Sequence, residues 1–350
     1  MTVDPPPSIG VAALDRRGLE EWLSGQDEPG FRAGQIIRWL YQRGAASYDE
    51  MTDLPAGLRE TLAGRLPIVR PLLEARETSQ ADGTRRYLWR LADGVTVESV
   101  GLPSSDRLTV CFSTQAGCAM GCSFCATGEN GLVRDLGPGE MVDQVRLVGE
   151  DFGLRITNAV AMGQGEPFAN YEATLGGLRL MNDPDSLGIG ARHLTVSTCG
   201  LIAGIERFSF EAEQFTLAVS LHSAIQETRD ALMPALRTQT LPRLRRALQH
   251  YAERTGRRPS LEYALVAGVN DTAEELTALA RFCTGLLCHV NLIPVNPVEA
   301  TGLDRPPDAR VGAFLNGLAA AGVPATVRAE RGTDIEAACG QLTQRHAPEY

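Results

Sequence analysis

The sequence predicts an α/β protein: a partial parallel barrel of six β/α units, preceded by a helical accessory domain and a linking β-hairpin. Hydrophobic residues recur at helical spacing in the first part of the chain, and short apolar runs alternate with longer stretches in the rest. A length of 350 residues suits about two domains, and a hydrophobic content of 43% is enough for a substantial core. These observations exclude a chain that is disordered throughout.

Residues 1–79 are predicted to form the helical domain. Apolar residues recur there at steps of three and four, at Phe31, Ile36, Ile37, Leu40, Tyr41, Leu58, Leu62 and Leu66. Pro55 and Gly57 interrupt the pattern and predict a break between helices. Three arginines, Arg32, Arg38 and Arg43, lie on the polar faces, where they either track a phosphate backbone or form solvated surface.

Residues 80–104 are predicted to form the linking hairpin. From Arg86 the apolar period changes to two, and Asp93-Gly94 provides a tight turn before the alternation returns at Val95. The pattern places Glu98 on the return strand, just ahead of a group of cysteines.

Residues 105–350 are predicted to form the barrel and the carboxyl-terminal segment. Strand-like apolar runs occupy residues 108–112, 156–162, 193–197, 215–221, 261–266 and 289–294, and a last one covers 325–328. The residues that could bind a ligand or react follow these runs, at 118–125, 163–167, 197–200, 220–222, 268–271 and 296–297. Barrel enzymes assemble their sites at the carboxyl ends of the strands, so we expect the active site there.

Charge and cysteine content narrow the function. The net charge of −10 excludes a polycation that coats nucleic acid by bulk charge, so any RNA-binding face is local. No signal peptide and no membrane span are evident in the sequence, which favours a cytoplasmic protein without membrane contact. Eight cysteines are too few for a disulfide scaffold, and their crowding between Cys111 and Cys199 favours metal or catalytic chemistry.

The strongest motif is a loop that holds Cys118, Cys122 and Cys125. A structural zinc site needs four ligands, commonly from two Cys-x-x-Cys pairs, and the chain offers no second pair. A 4Fe-4S cluster held by three thiolates keeps one iron open for a substrate. The motif therefore favours such a cluster, with zinc and buried inert cysteines as the alternatives.

This motif ahead of a β/α series resembles the radical S-adenosylmethionine (SAM) superfamily. The resemblance implies that the open iron binds the amino and carboxylate groups of SAM, whose reductive cleavage yields a 5′-deoxyadenosyl radical. Gly165 and Glu166 resemble the family's motif for the methionine amino end. Further positions resemble those that hold the ribose, adenine and carboxylate: Ser197, Ser220, Leu221, His222 and Asn296.

Longer motifs resemble the radical SAM RNA adenine methyltransferases, namely residues 109–118, 163–167, 197–200, 217–222, 291–297 and 337–342. The resemblance runs from about Arg32 to Gln341. It implies methylation of carbon 2 of an adenine in 23S ribosomal RNA, and in some members of transfer RNA. A second branch methylates carbon 8 of the same ribosomal adenine and confers antibiotic resistance. Pro167 resembles the carbon-2 branch, whereas the run Cys125 to Gly128 occurs in both.

The resemblance also implies roles for two cysteines and a glutamate. Cys339 takes a methyl group from one SAM, and a second SAM provides the radical that activates this methyl for addition to adenine. Cys111 then attacks Cys339 to release the base, with a transient disulfide. Glu98 matches the proton acceptor. Without the resemblance, all three would be read as ordinary buried or surface residues.

The chain departs from the family pattern at two places. Gln164 replaces the usual methionine between two glycines, and Ala235-Leu236 replaces the usual Ile-Asn after a proline. Three further cysteines, Cys199, Cys283 and Cys288, match no required position and are predicted to be packing residues.

The sequence also indicates which partners the protein could have. Seven arginines against one glutamate between residues 236 and 260 are the best candidate for an RNA-backbone contact, with a solvated helix face as the alternative. The implied chemistry needs a low-potential reductant such as flavodoxin or ferredoxin, and we expect a monomer. A non-enzymatic RNA-binding protein with a structural zinc site is the hypothesis from another class.

Overall fold

A computed structural model describes residues 6, 9–105, 107–128, 131–296 and 302–342. Pro297, the last residue of the sixth strand-end motif, lies outside these ranges. The α-helices are α1 Arg16–Ser24, α2 Arg32–Ile37, α3 Ala56–Arg65, α4 Pro138–Phe152, α5 Tyr171–Asn182, α6 Ile202–Phe208, α7 Gln226–Leu232, α8 Leu241–Thr255, α9 Ala273–Cys283 and α10 Asp308–Ala320. The strands are β1 Leu72–Thr78, β2 Arg85–Arg90, β3 Thr96–Pro103, β4 Leu108–Cys111, β5 Gln115–Gly117, β6 Leu132–Asp135, β7 Ile156–Ala161, β8 Leu194–Thr198, β9 Thr216–Ser220, β10 Ser260–Leu265, β11 His289–Pro294 and β12 Ala325–Val327. Within the described ranges, no helix is long and apolar enough to cross a lipid bilayer.

The predicted partial barrel is confirmed. One sheet runs in the order β1-β2-β3-β4-β7-β8-β9-β10-β11-β12. The strands from β4 to β11 in this order are parallel, and β12 adds a further parallel strand at the edge. Central strands such as β9 carry fully buried apolar residues, because helices cover the outer face of a parallel sheet. All these strands point their carboxyl ends to the same side.

The linking piece is larger than a two-stranded hairpin. The predicted strands appear as β2 and β3, with Trp89 opposite Val97. However, β1 lies within the range predicted to be helical, and it pairs antiparallel with β2. The domain boundaries themselves stay a prediction. In turn, β3 pairs with β4 and sets Val100 opposite Cys111, so this meander extends directly into the barrel sheet.

The helical domain shares one continuous hydrophobic core with the barrel. Ion pairs reinforce the junction: Arg16 and Arg38 both contact Asp185, at 2.8 and 2.6 Å. The other arginines considered for RNA are engaged within the domain. Arg32 pairs with Glu28 at 3.0 Å, and the guanidinium of Arg43 lies 4.1 Å from the ring centre of Trp39. These contacts stabilise the domain and give each of the three arginines a partner within the protein.

The arginine-rich segment folds mainly as α8, whose apolar face packs on the barrel. Three of its arginines, Arg245, Arg254 and Arg257, donate to the backbone carbonyls of Phe282, Ser209 and Phe215. Arg237, Arg243, Arg246 and Arg258 remain exposed on the surface. The segment therefore has a structural use, and only part of its charge faces solvent.

Candidate active site

A cavity opens where the carboxyl ends of the parallel strands converge. Its volume is about 170 Å³. Most of the predicted cluster and cofactor residues line it: Cys118, Cys122, Cys125, Gly165, Glu166, Ser197, Ser220, His222 and Asn296. The topology therefore brings these residues from five separate chain segments to one cavity.

The cysteine loop is held at the base of a small hairpin formed by β5 and β6. Gly117 has a φ of 75°, and a Cβ there would lie 2.1 Å from the carbonyl oxygen of Gly131, so only glycine fits. Further along the loop, Ser123 donates its N–H to the carbonyl of Leu232 at 2.9 Å, and Ala126 to that of Gly340 at 2.8 Å. The loop is thus fastened both to the barrel and to the carboxyl-terminal segment.

The three thiols of the loop are suited to bind one positively charged group together. Burial raises the pKa of Cys118 to about 11 and raises those of Cys122 and Cys125, and the neighbouring thiolates raise the pKa values of Cys118 and Cys122 further. Metal coordination reverses this effect because a ligating thiol is deprotonated. Among the described residues, no three His, Cys, Asp or Glu side chains gather closely enough to hold one metal ion. In a 4Fe-4S cluster each thiolate binds its own iron.

Gly165 and Glu166 form a tight turn beside the loop. A Cβ at Gly165 would lie 2.5 Å from the Cβ of Gln115, and its φ is 98°, so glycine is required. The Glu166 carboxylate accepts from the N–H groups of Phe168 at 2.9 Å and Cys199 at 2.7 Å. Burial raises its pKa. A carboxylate in this position favours a ligand with a positive charge, such as the amino group of SAM.

His222 presents a neutral ring to the same cavity. Its backbone is left-handed, with a φ of 55°, and Asn270 holds this bend by donating to the His222 carbonyl at 2.6 Å. Nδ1 accepts the N–H of Ala264 at 2.9 Å, so the ring proton lies on Nε2. Burial lowers the pKa of His222 to about 3. His222 therefore offers a hydrogen-bond donor, Nε2–H, and its lowered pKa disfavours a role as a base.

Acidification is expected to destabilise the fold through His222. The unfolded histidine takes up a proton as the pH falls below 6.5, whereas the folded one resists until about 3. Stability is therefore lost as the pH falls, by about 2 kcal/mol between pH 7 and pH 5. Urea unfolding of the cluster-loaded protein at both pH values should show this loss. His222→Asn, which tolerates the left-handed backbone, should lack it, while exposed His250→Asn should keep it. Equal acid sensitivity in all three proteins would exclude His222 as the cause.

A second cavity adjoins the first and contains both predicted catalytic cysteines. Cys111 lines only the second of the two cavities, whereas Cys339 and Arg328 line both. Burial and the charge of Cys339 raise the pKa of Cys111 to about 12, and Arg328 opposes this rise. Cys339 is exposed, and neither cysteine is in a disulfide. Cys339 thus lies at the junction between the cofactor cavity and a neighbouring space that Cys111 faces.

The carboxyl-terminal segment is tied in place near Cys339. Besides the bond from Ala126 to Gly340, the hydroxyl of Thr127 donates to the carbonyl of Leu342 at 2.9 Å. Both donors belong to the turn that follows Cys125. Contacts far apart in sequence therefore set the position of Cys339 relative to the cysteine loop.

Two predicted site residues do not line either cavity. The Leu221 side chain is fully buried in the hydrophobic core, and its N–H donates to the carbonyl of Glu262 at 2.9 Å. Glu98 is only 2% exposed and lies on the same face of β3 as Val100 and Leu102, which do line the second cavity. Glu98 is therefore adjacent to the second cavity without opening into it.

Sequence reasoning missed two charged residues of the site. Glu262 lines the first cavity and accepts from the side chains of Ser260 at 2.7 Å and Asn291 at 2.8 Å. A carboxylate within an apolar parallel strand was a signal that could have revealed it. Arg328 follows β12, and the charge of Cys339 is the largest cause of its raised pKa. Cys199, expected to be a packing residue, also lines the first cavity.

The fold and the cysteine loop together define the class. The site has the architecture of a radical SAM enzyme, and residues 112–283 match the family model described as "Radical SAM superfamily". A solved structure titled as a radical SAM methyltransferase from Sphaerobacter thermophilus is similar at a TM-score of 0.88 and 45% identity, covering 95% of this chain and 98% of that one. A 4Fe-4S cluster and SAM are the cofactors of this class, and the residues present fit both.

The amino-terminal domain and the relatives identify the family. Residues 9–68 match the model "Ribosomal RNA large subunit methyltransferase N-terminal domain". Two relatives named "Probable dual-specificity RNA methyltransferase RlmN" are similar over nearly the whole chain. The protein from Pelotomaculum thermopropionicum is 47% identical over 97% of this chain and 92% of its own length, and that from Symbiobacterium thermophilum 46% over 96% and 92%. The chain belongs to the RlmN family.

Proposed function

We propose that this chain methylates carbon 2 of an adenine in 23S ribosomal RNA and in transfer RNA. The observation that carries the proposal is the position of Cys339 between the cavity that fits the cofactors and the second cavity, which contains Cys111. A thiol at that junction can collect a group on one side and deliver it on the other. The names of the relatives, with their two RNA specificities, support the choice of substrates.

The chemistry requires a radical because carbon 2 of adenine is electron-poor and has no lone pair to attack a methyl donor. Bound at the cluster, SAM supplies both the methyl group and the radical that activates it. The residues of the chain perform the remaining steps. The Cys339 sulfur attacks the methyl carbon after losing its proton, which forms a thioether at the junction. Arg328 lies beside Cys339 and contacts its sulfur, so it can help to hold the sulfur in place for this attack.

Release of the product is assigned to Cys111 and Glu98. Once the methylene radical on Cys339 has added to adenine, Glu98 accepts the proton that the ring loses, and the unpaired electron left on the ring would return to the cluster. The Cys111 thiolate then attacks the Cys339 sulfur, so that a disulfide forms while the sulfur–carbon bond breaks. The electron pair of that bond passes to the methylene carbon, which takes up a proton and becomes the methyl group of the product.

We also propose an electron donor, an oligomeric state and a cellular compartment for this protein. A flavodoxin or ferredoxin would supply the electron that starts SAM cleavage at the cluster, and a two-electron reductant would return the Cys111–Cys339 disulfide to thiols before the next turnover. We expect the chain to act as a monomer. The cysteines of the described residues are all free, which suits the reducing cytoplasm. Family membership removes the hypothesis of a binding-only protein with a structural zinc ion.

The experiment is nucleoside mass spectrometry of RNA from cells that lack their own methyltransferase of this kind. Expression of the wild-type chain should produce 2-methyladenosine in both ribosomal and transfer RNA. Cys339→Ala should produce none, because the thiol that receives the methyl group is gone. Cys283→Ala, which removes a buried cysteine outside both cavities, should retain the product.

Other results would change the assignment in defined ways. Appearance of 8-methyladenosine would keep the mechanism and transfer the reaction to carbon 8. Product in only one RNA fraction would contradict the dual substrate. Full activity of Cys339→Ala would contradict the methyl-carrier role of Cys339.

A further inference from the structure

Gln164 makes two contacts with one residue, Glu98. The Gln164 side-chain carbonyl accepts from the backbone N–H of Glu98, and its amide nitrogen donates to the Glu98 carboxylate, each at 3.4 Å. Both side chains are almost fully enclosed, at 1% and 2% exposure. Buried polar groups favour such pairing because an unpaired amide or carboxylate is costly away from water. The glutamine therefore holds the carboxylate and its backbone together.

Gln164 is itself fastened at its backbone. Its N–H donates to the hydroxyl of Ser113 at 2.9 Å, and that hydroxyl donates to the backbone carbonyl of Glu98 at 2.6 Å. The Gln164 carbonyl accepts the N–H of Thr114 at 2.9 Å. The next two residues, Gly165 and Glu166, line the cofactor cavity. A continuous set of hydrogen bonds thus joins Glu98 to the turn expected to hold SAM.

The charges around Glu98 are few among the residues described. Arg86 faces it from β2 at 3.8 Å, but Arg86 also pairs with Glu77 of β1 at the shorter distance of 2.6 Å. From the carboxyl-terminal segment, Glu336 gives only its backbone carbonyl to Arg86. Cys111 of β4 is paired with Val100, and the Glu166 carboxylate is directed to Phe168 and Cys199. The carboxylate of Glu98 thus receives the neutral amide of Gln164 as well as the charge of Arg86.

We propose that Gln164 is a positioning residue that holds Glu98 ionised and oriented, and couples it to the turn that binds SAM. The inference rests on the proposed function, in which Glu98 accepts a proton from the RNA adduct. Methionine, the usual family residue at this position, cannot donate a hydrogen bond. In this chain the glutamine lets Glu98 act as a base at lower pH than a methionine would, because a donated hydrogen bond stabilises the ionised carboxylate.

The test is the pH dependence of adduct resolution in Gln164→Met. A single-turnover reaction with labelled RNA is followed on denaturing gels from pH 6 to pH 9, and the decay of the covalent protein–RNA adduct is measured. We expect resolution about 10-fold slower than wild type at pH 6.5, equal rates near pH 8.5, and an acid limb moved up by about one pH unit. Exposed Gln249→Met on α8 is the matched control and should follow the wild-type profile.

Folding is checked in the same samples. Iron content and the methylation of Cys339, measured by peptide mass spectrometry, depend on the cluster and the fold but not on Glu98. Both should equal the wild type in Gln164→Met, since methionine is the usual family residue here. If that variant loses iron, Gln164→Asn replaces it, because its shorter amide keeps the polarity but cannot make both contacts with Glu98.

The outcomes separate this inference from the proposed function. A wild-type profile for Gln164→Met, with Glu98→Gln still trapping the adduct, would overturn the role of Gln164 alone. Slower resolution by the same factor at every pH would also overturn it, because a merely structural defect has no reason to depend on pH. Absence of both adduct and methylated adenine with the wild-type chain would instead contradict the proposed function.

Discussion

Cys118→Ala is expected to lose the 4Fe-4S cluster and all methyltransferase activity. The loop offers three thiols for the cluster, and all three face one cavity. Removal of one leaves an iron without its protein ligand, and the two remaining thiols are buried groups with raised pKa values that do not ionise on their own. Iron and sulfide analysis, together with the visible absorption of the anaerobically reconstituted protein, measures the loss.

The matched control is Cys199→Ala. Cys199 lines the same cavity, but it belongs to the segment after β8 and uses its backbone to contact Glu166 and Arg229. Its thiol is not required as a ligand, so this variant should keep about four irons and four sulfides, the content of the cluster type. Retention of a full cluster by Cys118→Ala, or its loss in Cys199→Ala, would contradict the assignment of ligands.

Cys111→Ala is expected to trap the RNA on the protein. The variant keeps the cluster cysteines and Cys339, so methylation of Cys339 and attachment of adenine proceed. It lacks the thiol that attacks the Cys339 sulfur, and no other described cysteine lines the second cavity except Cys339 itself and the cluster ligand Cys125. Release should fall by at least about 10³-fold, in the range for loss of a nucleophile, and a covalent protein–RNA band should accumulate.

The adduct is measured on denaturing gels and disappears on nuclease treatment, which leaves a nucleotide mass on the peptide that contains Cys339. The double variant Cys111→Ala with Cys339→Ala should form no adduct, because the point of attachment is absent. Cys288→Ala, a buried cysteine outside both cavities, should release product normally. Normal turnover by Cys111→Ala would show that another group resolves the adduct.

Much of this site could be predicted because its signals are local. Three cysteines within eight residues form one loop whatever the rest of the chain does, and a glycine followed by Glu166 marks a tight turn. The strands were also evident, since buried parallel strands read as short apolar runs. Each predicted barrel strand is present, with ends that differ by at most one residue.

Other features depend on contacts that sequence patterns do not show. The small sheet of β5 and β6 was not predicted because each strand has only three or four residues and no clear alternation. Leu221 was assigned to the cofactor with its neighbours, but successive residues of an extended chain face opposite sides, and its side chain enters the core. Gln164 was noticed only as a departure from a pattern, without a partner.

The sequence by itself determined the fold class and the cluster loop, which depend on residue type, spacing and apolar period. Its resemblance to a known family indicated the family and the two cysteines proposed for catalysis. Only the tertiary structure decided that Cys339 lies between two cavities, that Arg328 lies beside it, and that Gln164 contacts Glu98. The physical reason is that most of these contacts join residues far apart in the chain, which only strand order, register and the hydrogen bonds of the carboxyl-terminal segment bring together.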